Sequence, residues 1–260
     1  MHRSLSYIDP QAKLAKNVVV EPFVTIEKNV EIGSGTWIGS NVTIMEGARI
    51  GENCEIFPGA VISAIPQDLK FEGEESLAII GDNTIIRECA TINRATKATG
   101  KTIVGKNCLI MAYAHIAHDC VIGNNAIVVN NVAMGGHVEI GEHAIIGGLT
   151  AVHQFIKIGK HCMVSGGSLV RKDIPPYVKA GREPLSFIGI NSIGLRRKKF
   201  SESEITEIQD IYRILYQKRY NNTQAINKIE IDFKISEIRD EIISFVRNSG
   251  RGIMRGYNQK

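Results

Sequence analysis

Val121-Ile122-Gly123-Asn124-Asn125-Ala126-Ile127-Val128-Val129-Asn130-Asn131-Val132-Ala133-Met134 sets an aliphatic residue at 122, 128 and 134, with Gly, Asn and small residues between. Stepping outward by six, the row runs back through Ile116, Ile110 and Val104 and on through Ile140, Ile146, Val152, Ile158 and Val164 to Val170. The same register opens the chain, from Ile8, Leu14 and Val20 to Ile62, and resumes at Ile80, Ile86 and Ile92. Of the 28 positions in the series from 8 to 170, 25 are Ile, Leu, Val or Met; the exceptions are Asp68, Glu74 and Ala98. Ordinary composition would fill only about nine. An amphipathic helix would repeat at three and four instead. Gly and Asn tolerate positive φ and mark turns. A short strand and a turn, again and again, predict a parallel β-helix of hexapeptide repeats.

Two polar stretches break the row, Ala64 to Leu77 and Arg94 to Lys101. Loops extruded from a solenoid either carry functional groups or are tolerated insertions. After Lys172 the regime changes. Pro175-Pro176 ends the repeat, and Ala180 to Leu195 reads as a connecting segment. From Ser201 the period becomes helical. Ser201 with Glu204 forms a capping-box pattern, followed by Ile205, Ile208, Tyr212, Leu215 and Tyr216 on one face. Further helices are expected around Thr223–Ile229 and from Ser236, and Arg251 to Lys260 reads as a basic tail. The expected organisation is a β-helix over 1–179, with extruded loops near 64–77 and 94–101. Residues 180–260 then hold the connecting segment and a small C-terminal α-helical domain of three short helices, packed on the open end of the coil or on a neighbouring subunit.

A net charge of +4 over 260 residues suits an anionic ligand or an acidic partner and is too weak to argue for nucleic acid. The five cysteines show no CxxC pair and read as small buried thiols in a reducing compartment. Residues Met1 to Leu5 carry no apolar signal core, and no run approaches 18 apolar residues. A cytoplasmic chain without a membrane span is expected.

The period of six does not itself fix the number of hexapeptides per coil; with three, the number that resemblance to this sequence class implies, Ile116, Met134 and Val152 stack on one face, about 4.8 Å apart. Beside them lie His115 and His118, His137, and His153 with Gln154, so four of the seven histidines gather on one edge. His143 and His161 follow Ile140 and Ile158 and form a separate pair. Imidazole near its free pKa can take a proton from a hydroxyl, and three converging imidazoles can bind zinc. His115-Ile116-Ala117-His118-Asp119-Cys120 favours the base, since Asp119 could hold the second ring nitrogen of His118. Alternation along a strand predicts an indirect pairing, through backbone or another subunit. Gly135-Gly136 before His137 either brings a backbone N–H to a developing oxyanion or makes a tight turn.

His-Ile-Ala-His-Asp-Cys at 115–120, Gly-Gly-His at 135–137 and Ala-Ile-Ile-Gly-Gly-Leu-Thr-Ala-Val-His-Gln-Phe at 144–155 closely resemble the UDP-N-acetylglucosamine acyltransferases, the first enzymes of lipid A biosynthesis. So do Gln-Asp-Leu-Lys at 67–70, Asp-Ile-Pro-Pro-Tyr-Val at 173–178 and Gly-Leu-Arg-Arg at 194–197. The resemblance covers nearly the whole length. It implies a homotrimer of left-handed β-helices with active sites in the clefts between subunits. The implied reaction moves an (R)-3-hydroxyacyl group from acyl carrier protein to the 3-hydroxyl of UDP-N-acetylglucosamine. The acyl donor carries its own phosphopantetheine, and no further cofactor or metal is implied.

By the same resemblance His118 is the general base, Asp119 its orienting partner and the Gly136 backbone the oxyanion donor. Asp68 and Lys70, on the first extruded loop, together with His115, His137, His153 and Gln154, bind the sugar nucleotide. Asn191 and Arg197 hold the nucleotide and its phosphates, a role that suits the planar guanidinium. Arg196-Arg197-Lys198-Lys199 can equally be read as a solvated basic run. Where the family carries an acidic residue two positions after the asparagine, this chain has Ile193, which alters one nucleotide contact. Gly166 falls where the family measures acyl length and leaves the channel open, so a long hydroxyacyl donor is expected. Two other readings are kept: a zinc enzyme resembling γ-class carbonic anhydrase, and a non-enzymatic hexapeptide scaffold. The acyltransferase of the third lipid A step normally carries an extra N-terminal domain, whereas this chain enters its repeats by Ile8.

Overall fold

A computed structural model describes residues 5–218 and 220–256. Two-residue strands recur every six residues and are distributed in turn over three parallel sheets, so three hexapeptides make one coil. In the first sheet Ile26 lies beside Ile44 and Ile44 beside Ile62, eighteen residues on. Ile62 then pairs with Ile92 and Ile92 with Ile116, and the longer steps are the two extruded segments. Eighteen-residue spacing returns with Ile116 beside Met134 and Met134 beside Val152.

The inward residue of each pair is sealed. Ile26, Ile44, Ile62, Ile92 and Ile116 are all 0% exposed, stacked aliphatic on aliphatic through the axis of the prism. Burying one such side chain stabilises by about 1.5–3 kcal/mol, and truncating one to alanine costs about 2–5 kcal/mol. Turns between faces need a left-handed residue, and Asn29, Asn41, Asn53, Asn107 and Asn125 supply it with φ between 52 and 60°. Asp119 (φ 61°) and His137 (φ 60°) occupy the same turn position.

The stretch expected to be connecting chain is ordered structure. Val178–Gly181 continues the third sheet beside Met163–Val164 and pairs antiparallel with Ser186–Ile190. A short helix follows, α1 (Ser192–Arg197), capped by the Asn191 side chain accepting from the Gly194 N–H. Three more complete the end: α2 (Glu202–Gln217), α3 (Asn222–Asp232) and α4 (Glu237–Arg247). Four helices therefore stand among the described residues where the sequence signals gave three. The missed one is six residues long and interrupted by Gly194, too short to show a period. The Ser201–Glu204 capping box is present.

This end is tied to the coil. Phe187 stacks on Tyr216 at 4.5 Å, Tyr212 Oη donates to the Pro176 carbonyl at 2.6 Å, and α4 places Glu241 against Tyr177 and Lys160. Nor is the basic stretch a free tail: Arg255–Gly256 forms a strand beside Ser186–Phe187. Its last part, residues 257–260, lies outside the described residues. No helix among the described residues is long and apolar enough to cross a membrane.

Candidate active site

Both extruded segments leave the coil at the same corner. Residues 65–76 run from the first-sheet strand Val61–Ala64 to the second-sheet strand Leu77–Ile80, and residues 94–100 likewise from Thr91–Asn93 to Lys101–Val104. The turns after His115–Ile116, Ala133–Met134 and Ala151–Val152 are further copies of that corner. Two loops and three histidine-bearing turns thus converge on one ridge.

At its centre His118 Nδ1 lies 2.7 Å from Asp119 Oδ2. The expected indirect pairing is corrected. Both residues sit in the turn, where the left-handed backbone of Asp119 swings its carboxylate back under the preceding ring. Alternation along a strand does not apply there. Asp119 is 3% exposed. Burial pushes its carboxyl up, but hydrogen bonds from Thr99, His118 and Thr96 outweigh burial and hold it below the usual carboxylate range. An ionised carboxylate only accepts, so Nδ1 carries the proton and Nε2, on the side of Asp68, is the ring nitrogen left to accept one. Asp68 Oδ2 stands 3.9 Å from that Nε2, beyond direct hydrogen-bond reach.

The second loop exists to hold Asp119. Thr96 donates from its hydroxyl at 2.8 Å and its N–H at 3.2 Å, Thr99 donates from its N–H at 3.2 Å and from its hydroxyl, and Thr102 Oγ1 accepts the Asp119 N–H at 2.8 Å. None of these threonines was singled out from the sequence, where polar loop hydroxyls have no period to betray them. Replacing Thr96 and Thr99 together by valine is expected to lower kcat about tenfold at pH 7, since a hydrogen bond to a charged group is worth about 1.5–3 kcal/mol. The Asp119 carboxylate becomes more basic when donors are lost and holds the His118 imidazolium more firmly, so the acid limb of the pH–rate profile moves to higher pH. Serine at both positions restores it. A wild-type profile in the valine variant would remove the clamp from the argument.

His137 extends the cluster. Its ring meets His118 edge-on at 5.3 Å and stacks on Phe155 at 4.5 Å, and its Nε2 is 3.7 Å from Asp119 Oδ2. His115 shares a hydrogen bond with Thr91 Oγ1 at 2.7 Å. Burial, and then the nearby His118, lower its pKa and keep it neutral. His153 and Gln154 lie exposed on the rim, and Lys70 is exposed beside Asp68, whose Oδ1 accepts the Lys70 N–H at 3.0 Å.

Gly136 runs directly under the His118 ring. A β carbon there would lie 2.5 Å from Cε1 and 2.6 Å from Nε2. Gly136 is buried, and among the described residues its N–H meets no protein acceptor. Ligand atoms of His118, Asp119 and His137 fall within 4.8 Å of one another, close enough to hold a metal ion. Here, however, His118 and Asp119 are bonded to each other, and the Asp119 carboxylate is further taken up by threonine donors.

Three expected site residues lie elsewhere on the same chain. Asn191 caps α1 and donates to the His161 carbonyl at 2.9 Å, and Arg197 is exposed on that helix. They stand by the corner between the second and third sheets, where His143 stacks on His161 at 4.9 Å. Burial, helped by His143 and Lys160, pushes His161 down to about 4, so that column is neutral at pH 7. Gly166 lies at the third corner, in the turn after Met163–Val164.

Comparison with known proteins fits this geometry. The model of bacterial transferase hexapeptides (six repeats) matches residues 29–64 and 101–136, and that of UDP N-acetylglucosamine O-acyltransferase domain 2 matches residues 173–254. An acyl-[acyl-carrier-protein]–UDP-N-acetylglucosamine O-acyltransferase of Chlorobium phaeobacteroides is 54% identical over 201 residues, 76% of either chain. The chain belongs to the UDP-N-acetylglucosamine O-acyltransferase family. The enzyme of that name from Aquifex aeolicus is 57% identical over 196 residues, 75% of each. A solved UDP-N-acetylglucosamine acyltransferase from Bacteroides fragilis 9343 is 50% identical, covers 98% of this chain and 100% of its own, and superposes with a TM-score of 0.96. The coil is accordingly a left-handed parallel β-helix with a small helical C-terminal part. Membership of this acyltransferase family leaves the zinc-enzyme and scaffold readings without support.

Proposed function

We propose that this acyltransferase moves an (R)-3-hydroxyacyl group from acyl carrier protein to the 3-hydroxyl of UDP-N-acetylglucosamine, the first step of lipid A biosynthesis, at the corner built around His118. The observation that carries the reading is a 2.7 Å bond from the His118 Nδ1–H to a buried, ionised Asp119, with Nε2 left open. His118 Nε2 takes the hydroxyl proton as the sugar oxygen attacks the thioester carbon. Asp119 steadies the imidazolium that forms. The tetrahedral oxyanion accepts the Gly136 N–H. Collapse breaks the carbon–sulfur bond, and the imidazolium returns its proton to the departing phosphopantetheine thiolate. Every proton is handled by imidazole, so the chemistry calls for neither metal nor resident cofactor.

Asp68, across the gap from Nε2, receives the sugar hydroxyls, with His115, His137, His153, Gln154 and Lys70 around them. Asn191 and Arg197 serve the nucleotide from the other corner. A homotrimer that sets this corner of one copy beside the first corner of the next completes the site, and Gly166 of the third corner leaves space for a long acyl chain. A cytoplasmic location suits both substrates. Incubating the purified protein with UDP-N-acetylglucosamine, its 3-amino analogue and carrier proteins bearing hydroxyacyl chains of graded length tests the reading. The expected product is the 3-O-acyl sugar nucleotide, formed fastest from long chains. Preference for short chains would reject the Gly166 role, and absence of product from every donor would reject the function.

A further inference from the structure

The ring column does not stop at the rim. Asp119, His137 and Phe155 follow one another at eighteen-residue steps, and the next member, Asp173, is 1% exposed. Asp173 pins the C-terminal segment. Its carboxylate accepts the Ser249 hydroxyl at 2.6 Å and the Lys157 N–H at 2.9 Å, its N–H donates to the Gly252 carbonyl, and its carbonyl accepts the Met254 N–H. This anchorage sets the Arg251 guanidinium over the Phe155 ring, Cζ 5.8 Å from the centroid. Lys172 joins it, donating to the Arg251 carbonyl at 2.6 Å.

Guanidinium–ring pairing recurs in this chain, with Arg87 over Phe57 at 4.4 Å and Arg94 over Phe71 at 5.4 Å, but many arginines are held by carboxylates. Arg49, Arg87, Arg196, Arg213, Arg239 and Arg247 each face a carboxylate. Among the described residues Arg251 and Lys172 face none; a ring and a carbonyl hold them instead. A guanidinium laid over an aromatic face keeps its N–H edges free for a planar, bidentate acceptor such as a phosphate. Phe155 is 48% exposed, so the approach is open. It sits two coil steps along the axis from the Asp119 turn, about 10 Å.

We propose that Arg251, seated on Phe155 and assisted by Lys172, binds the phosphate ester of the acyl donor's phosphopantetheine arm. The inference rests on the functional reading above, which supplies a thioester at His118 and therefore a phosphate farther along the same arm. The other phosphates present, those of the sugar nucleotide, already have Arg197 assigned to them. Anchorage through Asp173 makes the cation preorganised, so little ordering cost opposes binding.

Free phosphopantetheine and free pantetheine, which lacks the phosphate, are compared as inhibitors of transfer from acyl carrier protein in the full-length enzyme. Wild type is expected to be inhibited about tenfold more strongly by the phosphorylated compound, as one charge-assisted contact predicts. In Arg251→Gln the two should inhibit equally, and the KM for acyl carrier protein should rise while that for UDP-N-acetylglucosamine holds. Each ratio is internal to one protein, so a partly destabilised variant still reports. Equal inhibition in wild type, or a preference that survives Arg251→Gln, overturns the proposal. A KM rise confined to UDP-N-acetylglucosamine also overturns it, moving the guanidinium to the diphosphate. Wild type without transfer from any donor would instead sink the functional reading, before a variant is made.

Discussion

His118→Ala is expected to lower kcat by about 10²–10⁴-fold, the contribution of a positioned general base, with little change in the KM for UDP-N-acetylglucosamine. The fold has small need of this side chain. The coil around it is held by main-chain bonds, and the His118 carbonyl accepts the His137 N–H at 3.0 Å whatever the side chain. Ile116, two residues earlier, is the member that fills the core. Thermal stability should therefore fall by no more than the lost Asp119 bond, about 1.5–3 kcal/mol, with the oligomeric state unchanged, so that kcat measured on folded enzyme reports loss of chemistry rather than loss of structure. Asp119→Asn should fall between the two proteins, because an amide can still bond the ring but offers no charge to the imidazolium. Turnover by His118→Ala above a tenth of wild type would remove the base from the mechanism. An unchanged biological activity would revive the scaffold reading.

The architecture was legible because a solenoid writes its core into one dimension. A residue facing the axis returns at a fixed interval, so the spacing alone stacks Ile116, Met134 and Val152. The histidine ridge followed from the same arithmetic. What lay outside the period was harder to read. Thr96 and Thr99 act through the path of an irregular loop, and nothing in their spacing marks two hydroxyls aimed at one carboxylate. Phe155 and Arg251 meet across 96 residues only because Asp173 captures the C-terminal segment. The direct His118–Asp119 bond departs from strand alternation for a backbone reason: the pair lies in a turn, and Asp119 is left-handed. Periodicity locates the ridge, and turn conformation decides how the groups on it face one another.

That dependence on turn geometry makes Gly136→Ala the sharpest test, with an expected loss of about 10³-fold in kcat for a single added methyl. The β carbon would lie 2.5, 2.6 and 3.1 Å from Cε1, Nε2 and Nδ1 of His118. The ring cannot slide away in its plane, because Asp119 holds Nδ1 at 2.7 Å and His137 stands edge-on at 5.3 Å. It must rotate out, which breaks the Asp119 bond and withdraws Nε2 from the cleft, while the methyl crowds the N–H proposed for the oxyanion. The backbone at 136 is not in the left-handed region, so alanine adds no strain to the chain itself. Gly135→Ala is the control. Its β carbon would press on the Gln154 backbone N at 2.8 Å, so the damage falls on coil stacking, by about 1–3 kcal/mol. The neighbouring glycines should thus separate in the folded fraction: alanine at 136 silences its turnover, and alanine at 135 lowers Tm with that turnover largely kept. Measuring kcat and Tm for both decides the matter, and wild-type turnover in Gly136→Ala would mean that the His118–Gly136 apposition is packing rather than catalysis.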